Sequence, residues 1–167
     1  RYTLREINFP TDSIPLTADI KKTQENSFLK EGDPYDLTAI KDERVRIDAN
    51  LKEEGYYFFN PDYLLAEVDS TVGGKEVSLD LVLKDITPKR AKEQYRINRI
   101  YIYPDHSITG DTIPENSPEG ETFGDLTIFD PDNNFKPSLF DRSLLFEQGE
   151  LYNRTDHNKS LNRLVSL

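Results

Sequence analysis

The spacing of apolar residues divides the first part of the chain into a strand-like and a helix-like segment. Partial alternation from Tyr2 to Phe9 predicts a first strand that stops before Pro10. Ser13 and Pro15 then predict a helix start, because a proline in the first helical turn loses no hydrogen bond. We expect this first helix to run to about Leu29.

The second helix has the most regular pattern in the sequence. Asp36 can cap its first turn, and Gly55 can supply the left-handed exit at its end. Arg44 falls in the apolar stripe, and because an unpaired buried charge is costly we expect an ion pair at the edge of the helix. The apolar residues recur at intervals of three, seven and four residues: Leu37, Ile40, Ile47 and Leu51.

Two strand-like segments follow this helix. The segment from Tyr56 to Val68 is rich in aromatic and branched residues, but Pro61 interrupts it, and proline is tolerated mainly in edge strands. The segment from Val77 to Leu83 alternates regularly, which favours a central strand with one face on the core. The predicted order is therefore β-α-α-β-β, with the aromatic segment at the edge of the sheet.

The second half of the chain begins a similar series. Tyr95 to Tyr103 predicts a new strand, and the Pro- and Gly-rich residues 104–124 predict an inserted loop. Leu126 to Phe129 predicts a short strand that returns from the loop. Helices are expected at about Pro137 to Gln148 and Thr155 to Leu167.

The start of a module occurs twice in the chain. Phe28 to Tyr35 and Leu144 to Tyr152 both contain a Gly-x-x-Tyr turn, and each precedes a second helical pattern. Repeated units predict an array, and arrays usually bind or space other molecules. We place a first module at 1–88, a linker at 89–94 and a second module at 95–167, which is expected to be incomplete because no closing strands follow its helices.

The composition excludes several classes of function. With 31 acidic and 21 basic residues the net charge is -10, which opposes the phosphate neutralisation that nucleic-acid binding requires. No apolar run approaches the roughly 20 residues that a transmembrane helix needs. The absence of cysteine from the sequence excludes disulfides, thiolate metal sites and a cysteine nucleophile.

The sequence offers little metal-binding or catalytic chemistry. Four oxygen-bearing residues have the spacing of a calcium loop, but Phe135 replaces the turn glycine, which favours an ordinary polar turn. His106 and His157 lack metal-ligand spacing, and adjacent acids such as Glu53 and Glu54 mark no pocket. We predict no metal, no cofactor and no enzyme activity. The calcium-type positions are Asp130, Asp132, Asn134 and Asp141.

The second helix and the residues after it resemble a POTRA domain, a β-α-α-β-β module found in tandem in polypeptide-transport proteins of Gram-negative outer membranes. Gly149 to Tyr152 with Ser160 to Leu164 is similar to the same signature, although matching Leu164 to Leu51 makes the second copy about one helical turn shorter. The pattern resembles the Bacteroidetes type of BamA/TamA-like assembly factor. The residues that carry the first match are Glu43 to Ile47, Leu51, Gly55 to Tyr57 and Phe59.

The resemblance implies an α+β fold of tandem POTRA modules, each a small mixed three-stranded sheet covered by two helices. It also implies a periplasmic location, tethered to the outer membrane by a C-terminal barrel that this sequence does not include. The implied partners are unfolded outer-membrane proteins and accessory assembly subunits. The family has no catalytic residue to transfer to this chain.

An exposed sheet edge suggests how such a module binds its clients. Unpaired N–H and C=O groups along an edge accept an incoming strand largely without regard to its sequence. Three alternatives remain: residues 56–59 only pack under the helices and seat a neighbouring module, the chain is a rigid arm that docks accessory subunits, or it is an unrelated surface glycan-binding domain. The predicted edge-strand residues are Tyr57, Phe59, Tyr63, Leu65 and Glu67.

Overall fold

The computed structural model describes residues 1–11, 14–104 and 119–167, so Ser13, His106 and most of the predicted loop lie outside the described residues. The chain divides into two compact units, Arg1–Tyr95 and Arg96–Leu167. The first unit includes a 3-10 turn in the segment predicted as a linker, and Ala91 in that turn is buried.

The first unit has the predicted order β-α-α-β-β. The first helix ends at Lys22 and not near Leu29, because the chain tightens into a 3-10 turn and becomes extended at Ser27. The elements are β1 (Thr3–Asn8), α1 (Pro15–Lys22), a 3-10 turn (Thr23–Asn26), α2 (Leu37–Glu53), a 3-10 turn (Pro61–Tyr63), β2 (Leu64–Asp69) and β3 (Glu76–Leu83).

The sheet of this unit has the order β1-β3-β2. Strand β3 is central, as predicted; it runs parallel to β1 and antiparallel to β2. The edge strand was predicted to begin at Tyr56, and this was wrong because Asn60 starts a 3-10 turn, accepting a hydrogen bond from the Asp62 amide at 2.8 Å. Strand β2 therefore begins only at Leu64.

The two helices cover one face of the sheet. Val77, Leu79 and Leu81 of β3 are buried beneath them, as expected from their alternation. The cores of the unit are apolar except for a few buried polar groups. The buried helical residues that pack in these cores are Leu16 and Ile20 of α1 and Ile40, Ile47 and Leu51 of α2.

The second unit is also a small α+β unit, so the predicted fold class is confirmed. Its sheet has the order β4-β6-β5, with β4 parallel to β6 and β5 antiparallel to it. Among the described residues of this unit, three strands precede two helices, because β5 and β6 form a hairpin within the segment predicted as an insertion and a returning strand. The elements are β4 (Ile100–Ile102), β5 (Glu121–Phe123), β6 (Leu126–Ile128), α3 (Pro137–Ser143) and α4 (Arg154–Val165).

Two elements of the second unit are shorter than predicted, and a competing contact explains each. The amide of Ile97 donates to Glu150 at 2.8 Å, so this part of the predicted strand 95–103 pairs with a loop and not with the sheet. Helix α3 ends at Ser143 and not at Gln148, because Leu144 is extended and the Leu145 amide donates to the Ser160 hydroxyl at 2.8 Å.

The two Gly-x-x-Tyr turns have the same local geometry. Gly32 and Gly149 have left-handed φ angles of 86° and 87°, a region that only glycine enters freely. The Gly32 amide donates to the Leu4 carbonyl at 2.7 Å, and the Gly149 amide donates to the Ile97 carbonyl at the same distance. Each turn is therefore tied to the strand segment that begins its unit.

The helices that follow the turns start in the same register. Asp36 caps α2 and Asn153 caps α4, and both positions lie four residues after the turn glycine. In this register Leu164 corresponds to Ile47 and not to Leu51. The apparent shortening of the second copy by one helical turn was therefore a misalignment of the sequence pattern.

Candidate functional site

The two outer strands of the first sheet differ in what lies beside them. The first half of β1 is covered by residues 32–35, since the Leu4 amide donates to Asp33 at 2.8 Å and the Tyr35 amide donates to Tyr2 at 2.9 Å. In the part of the chain that the structure describes, no segment other than β3 pairs with β2. Strand β2 is therefore an open sheet edge.

The backbone of β2 presents alternate residues to solvent. The Tyr63 carbonyl accepts a hydrogen bond from the Lys84 amide at 2.9 Å, and Tyr63 continues the register of β2 against β3. In an antiparallel pair, every second residue bonds to the neighbouring strand and those between direct their backbone groups away from it. The outward N–H and C=O groups are therefore those of Leu64, Ala66 and Val68.

The side chains of β2 divide between two faces. Leu64 is completely buried beneath the helices, so Leu65 and Glu67 point to the opposite side of the sheet, which we call the open face. Leu65 is 41% exposed and Val68 is 40% exposed. The edge thus combines free backbone groups with accessible apolar side chains.

The structure separates the five predicted site residues. Leu65 and Glu67 lie in β2 and are exposed, whereas Tyr57, Phe59 and Tyr63 precede the strand. Phe59 is buried and its ring contacts that of Tyr63 edge-on, with centroids 6.0 Å apart. Phe59 is thus a core residue, and only Leu65 and Glu67 of the five belong to the open strand.

The aromatic segment before β2 is half core and half surface. Tyr56 is fully buried and its hydroxyl donates to Asp19 at 2.7 Å; burial and this hydrogen bond raise the pKa of the phenol. Tyr57 and Phe58 are 47% and 38% exposed, and Phe58 lies beneath the Arg90 guanidinium at 5.1 Å from the ring centroid. The alternative of simple packing thus holds for Tyr56 and Phe59 only.

Arg44 anchors the turn that leads into β2. Its guanidinium donates to the Pro61 carbonyl at 2.9 and 3.0 Å and pairs with Asp62 at 3.0 Å. The predicted ion pair at the helix edge is confirmed. Pro61 and Asp62 are neighbours in the 3-10 turn before β2, so both contacts hold that turn against helix α2. Helix α2 thereby fixes the position at which the edge strand begins.

A buried ion pair holds Phe28, four residues before the segment that covers β1. The Glu43 carboxylate is completely buried, pairs with Arg46 at 2.6 Å and accepts a hydrogen bond from the Phe28 amide at 2.9 Å. Arg46 also donates to the Thr23 carbonyl at 2.8 Å. The sequence signal was a charged pair three residues apart on α2, which does not distinguish a solvated pair from a buried one.

The open face is acidic next to β2. Glu67 lies directly opposite Asp80 of β3, and both side chains face away from the helices. The Asp80 carboxylate accepts a hydrogen bond from the side-chain amide of Asn8 at 2.8 Å. Asp69, at the end of β2, accepts hydrogen bonds from the hydroxyl and amide of Thr71, which lower the pKa of its carboxyl.

Three of the calcium-type residues lie in a polar turn, and the fourth, Asp141, lies in α3. The Asp130 carboxylate accepts hydrogen bonds from the Asn134 amide at 3.2 Å and the Phe135 amide at 2.8 Å, so its oxygens already have partners. His157 lies beside the Phe146 and Tyr152 rings. Within residues 1–11, 14–104 and 119–167, no cluster of three His, Asp or Glu side chains could hold a metal ion.

None of the helices in the described parts of the chain is long and apolar enough to cross a membrane. The first unit has two helices on one face of a three-stranded sheet and one open edge, which defines a small α+β module. No family model and no curated protein matches the sequence.

The fold is similar to solved POTRA domains. A crystal structure of Haemophilus influenzae BamA POTRA domains 3–5 matches with a TM-score of 0.52 and 16% identity, over 99% of this chain and 50% of that one. BamA from Haemophilus ducreyi lacking POTRA domains 1–3 matches with a TM-score of 0.59 and 13% identity, over 98% of this chain and 24% of that one. The chain thus has a POTRA-like fold and spans half or less of these proteins.

Proposed function

We propose that this chain is a pair of POTRA-type protein-binding modules from an outer-membrane assembly factor of the BamA/TamA kind, and that β2 captures extended segments of unfolded outer-membrane proteins by strand addition. The observation that supports this function is the open edge, with the backbone groups of Leu64, Ala66 and Val68 directed away from the sheet. The proposed activity is binding, without catalysis.

Strand addition depends on the backbone. An incoming strand pairs its own N–H and C=O groups with the three outward residues, and such bonds do not depend on the client's side chains. Each backbone hydrogen bond contributes only about 0.5–1.5 kcal/mol net, so a short segment binds weakly and reversibly. Weak and unselective capture suits a factor that hands many clients on to a later step.

The POTRA-like fold and the sequence resemblance support the proposed setting. We place the modules in the periplasm, tethered to the outer membrane by a barrel elsewhere in the full protein. We assign the full protein to the Bacteroidetes branch of these assembly factors. Their proposed partners are unfolded outer-membrane proteins and accessory assembly subunits. The net charge of -10 opposes a nucleic-acid partner.

Backbone NMR of the full chain tests strand addition directly. We expect an extended ten-residue peptide from an outer-membrane strand to shift the amides of Leu64, Ala66 and Val68 more than those of β1. The same peptide N-methylated at alternate residues is the matched control, because it keeps its side chains and loses donors. If no β2 amide shifts at millimolar peptide, strand addition is wrong.

Two exposed aromatic side chains favour a second candidate, a rigid arm that docks accessory subunits. Tyr57 and Phe58 are held edge to face with ring centroids 4.9 Å apart and remain accessible. Aromatic residues are enriched at the energetic centres of protein interfaces. This candidate predicts weak peptide binding and a fixed angle between the units, and small-angle scattering of a freely jointed pair would contradict it.

A further inference from the structure

The open face of the first sheet has a row of carboxylates next to the proposed binding edge. Glu67 and Asp80 are directly opposite in the β2–β3 register, and Asp69 lies opposite Ser78 on the next rung of the same face. Ser78 is in turn opposite Glu6 of β1. Like charges opposite one another in a sheet are unfavourable, so this arrangement costs the isolated module stability.

Basic side chains of the module do not neutralise this row. Arg5 lies beside Glu76, with 3.9 Å between the charged atoms, and Lys84 follows the end of β3, beside Tyr63 and away from Asp69. Within the described residues, no Lys or Arg lies within salt-bridge distance of Glu67. The uncompensated charge therefore lies along the strand that has the free edge.

We propose that the strand which adds to β2 is amphipathic, with Lys or Arg side chains on the open face and apolar side chains on the helix-covered face. The proposal rests on the proposed function, because it specifies which extended segments the same edge prefers. Successive residues of an added strand point to opposite faces, so every second side chain becomes a cross-strand neighbour of Leu65, Glu67 or Asp69. The other side chains meet Ala66 and the exposed Val68.

Charge complementarity selects this occupant over others. A strand with Glu at the same positions would extend the row of like charges, whereas basic side chains would neutralise Glu67 and Asp69. The backbone hydrogen bonds are the same for both strands, so the difference between them measures the side-chain contribution alone. Such contacts are exposed, and salt at about 0.5 M should weaken them because the screening length falls to a few ångströms.

Three synthetic peptides test the preference on the full chain by NMR titration at low salt. One alternates Lys with Val, the second alternates Glu with Val, and the third is the Lys peptide with alternate N-methyl groups. We expect the Lys peptide to bind about tenfold more tightly than the Glu peptide, since two exposed charge pairs replace two repulsions. Both should shift the Leu64, Ala66 and Val68 amides, and the N-methylated peptide should not.

The variant Glu67→Gln with Asp69→Asn keeps the shape of the strand and removes its charge. We expect the Lys-to-Glu preference to fall to about twofold in this variant, with the β2 amides still shifted. The double variant Glu31→Gln with Glu93→Gln is the matched charge control, because both residues lie outside the sheet. It should keep the tenfold preference for the Lys peptide over the Glu peptide.

The outcomes separate the two proposals. Equal affinity for the Lys and Glu peptides, with β2 amides shifted by both, overturns the charge preference and leaves strand addition standing. Binding of the Lys peptide that is insensitive to N-methylation and shifts only open-face residues shows attraction without strand addition, and overturns both. Absence of any shift in β2 with all three peptides overturns the proposed function and the preference with it.

Discussion

The outer strands β1 and β2 belong to the same sheet and pair with the same central strand, yet only one of them is free along its length. The first half of β1 is covered by the turn around Gly32, which forms reciprocal backbone hydrogen bonds with Leu4. Strand β2 has no such cover among the described residues. The module thus covers part of one edge with its own chain and leaves the other edge open.

A buried network holds Phe28, just before the cover on β1, and breaking it should have the largest effect. We expect Glu43→Ala to lower the free energy of unfolding by about 3–5 kcal/mol, because Arg46 would be left buried without its partner. Urea denaturation of the full chain, followed by probes in the first unit, measures this loss.

The matched site in the second unit sharpens this test. The Ser160 hydroxyl accepts a hydrogen bond from the Leu145 amide, just as the Glu43 carboxylate accepts one from the Phe28 amide. The hydroxyl of Ser160, unlike the carboxylate of Glu43, is neutral. Ser160→Ala should cost only about 1–2 kcal/mol for the unsatisfied amide. Equal losses at the two sites would show that the charge of Glu43 is not what holds Phe28.

Proline substitutions on β2 distinguish its paired residues from its outward ones. Leu65→Pro should lower the free energy of unfolding by about 2–3 kcal/mol. The substitution removes an amide N–H that donates to β3 and leaves the acceptor on β3 unpaired. Ala66→Pro removes an outward amide, so it should cost less than about 1 kcal/mol while abolishing peptide binding. Thermal unfolding and peptide titration of both variants measure the two effects, and similar destabilisation would mean that the assigned alternation is wrong.

Gly32→Ala tests whether the turn conformation maintains the cover. The φ of 86° is strained for alanine, and a Cβ there would meet no atom within 4 Å, so the loss of about 1–2 kcal/mol should be purely conformational. Hydrogen exchange of the Leu4 amide should accelerate in parallel. Gly149→Ala, with the same φ and the same free space, should show the same change at Ile97.

The smallest expected effect has the opposite sign. Glu67→Thr removes a like-charge contact with Asp80 and places a residue with high strand propensity on an exposed edge, so stability should rise by about 0.5 kcal/mol. Adding salt should reduce this gain, since screening weakens the original repulsion. A loss of stability that persists at high salt would show that Glu67 contributes a favourable contact.

Much of the first unit could be predicted from the sequence because its signals are local. The Asp36 cap and the apolar spacing placed α2, and the alternation of β3 identified the central strand. The start of β2 could not be predicted, because Tyr56 to Tyr63 has strand-like composition and is held out of the sheet by the Asn60 turn and the Arg44 contact. Three of the five predicted site residues precede β2 for this reason.

The sequence by itself determined the presence of the helices, the central strand and the two glycine turns. The signals for these elements, which are periodicity, capping residues and glycines in left-handed backbone, are each encoded within a few residues. Only the tertiary structure decided which sheet edge remains open, that Glu43 is buried, and that the second unit forms its hairpin before its helices. Those features depend on pairing between residues far apart in the chain, where several arrangements satisfy the same local pattern and the packing of the whole unit selects one.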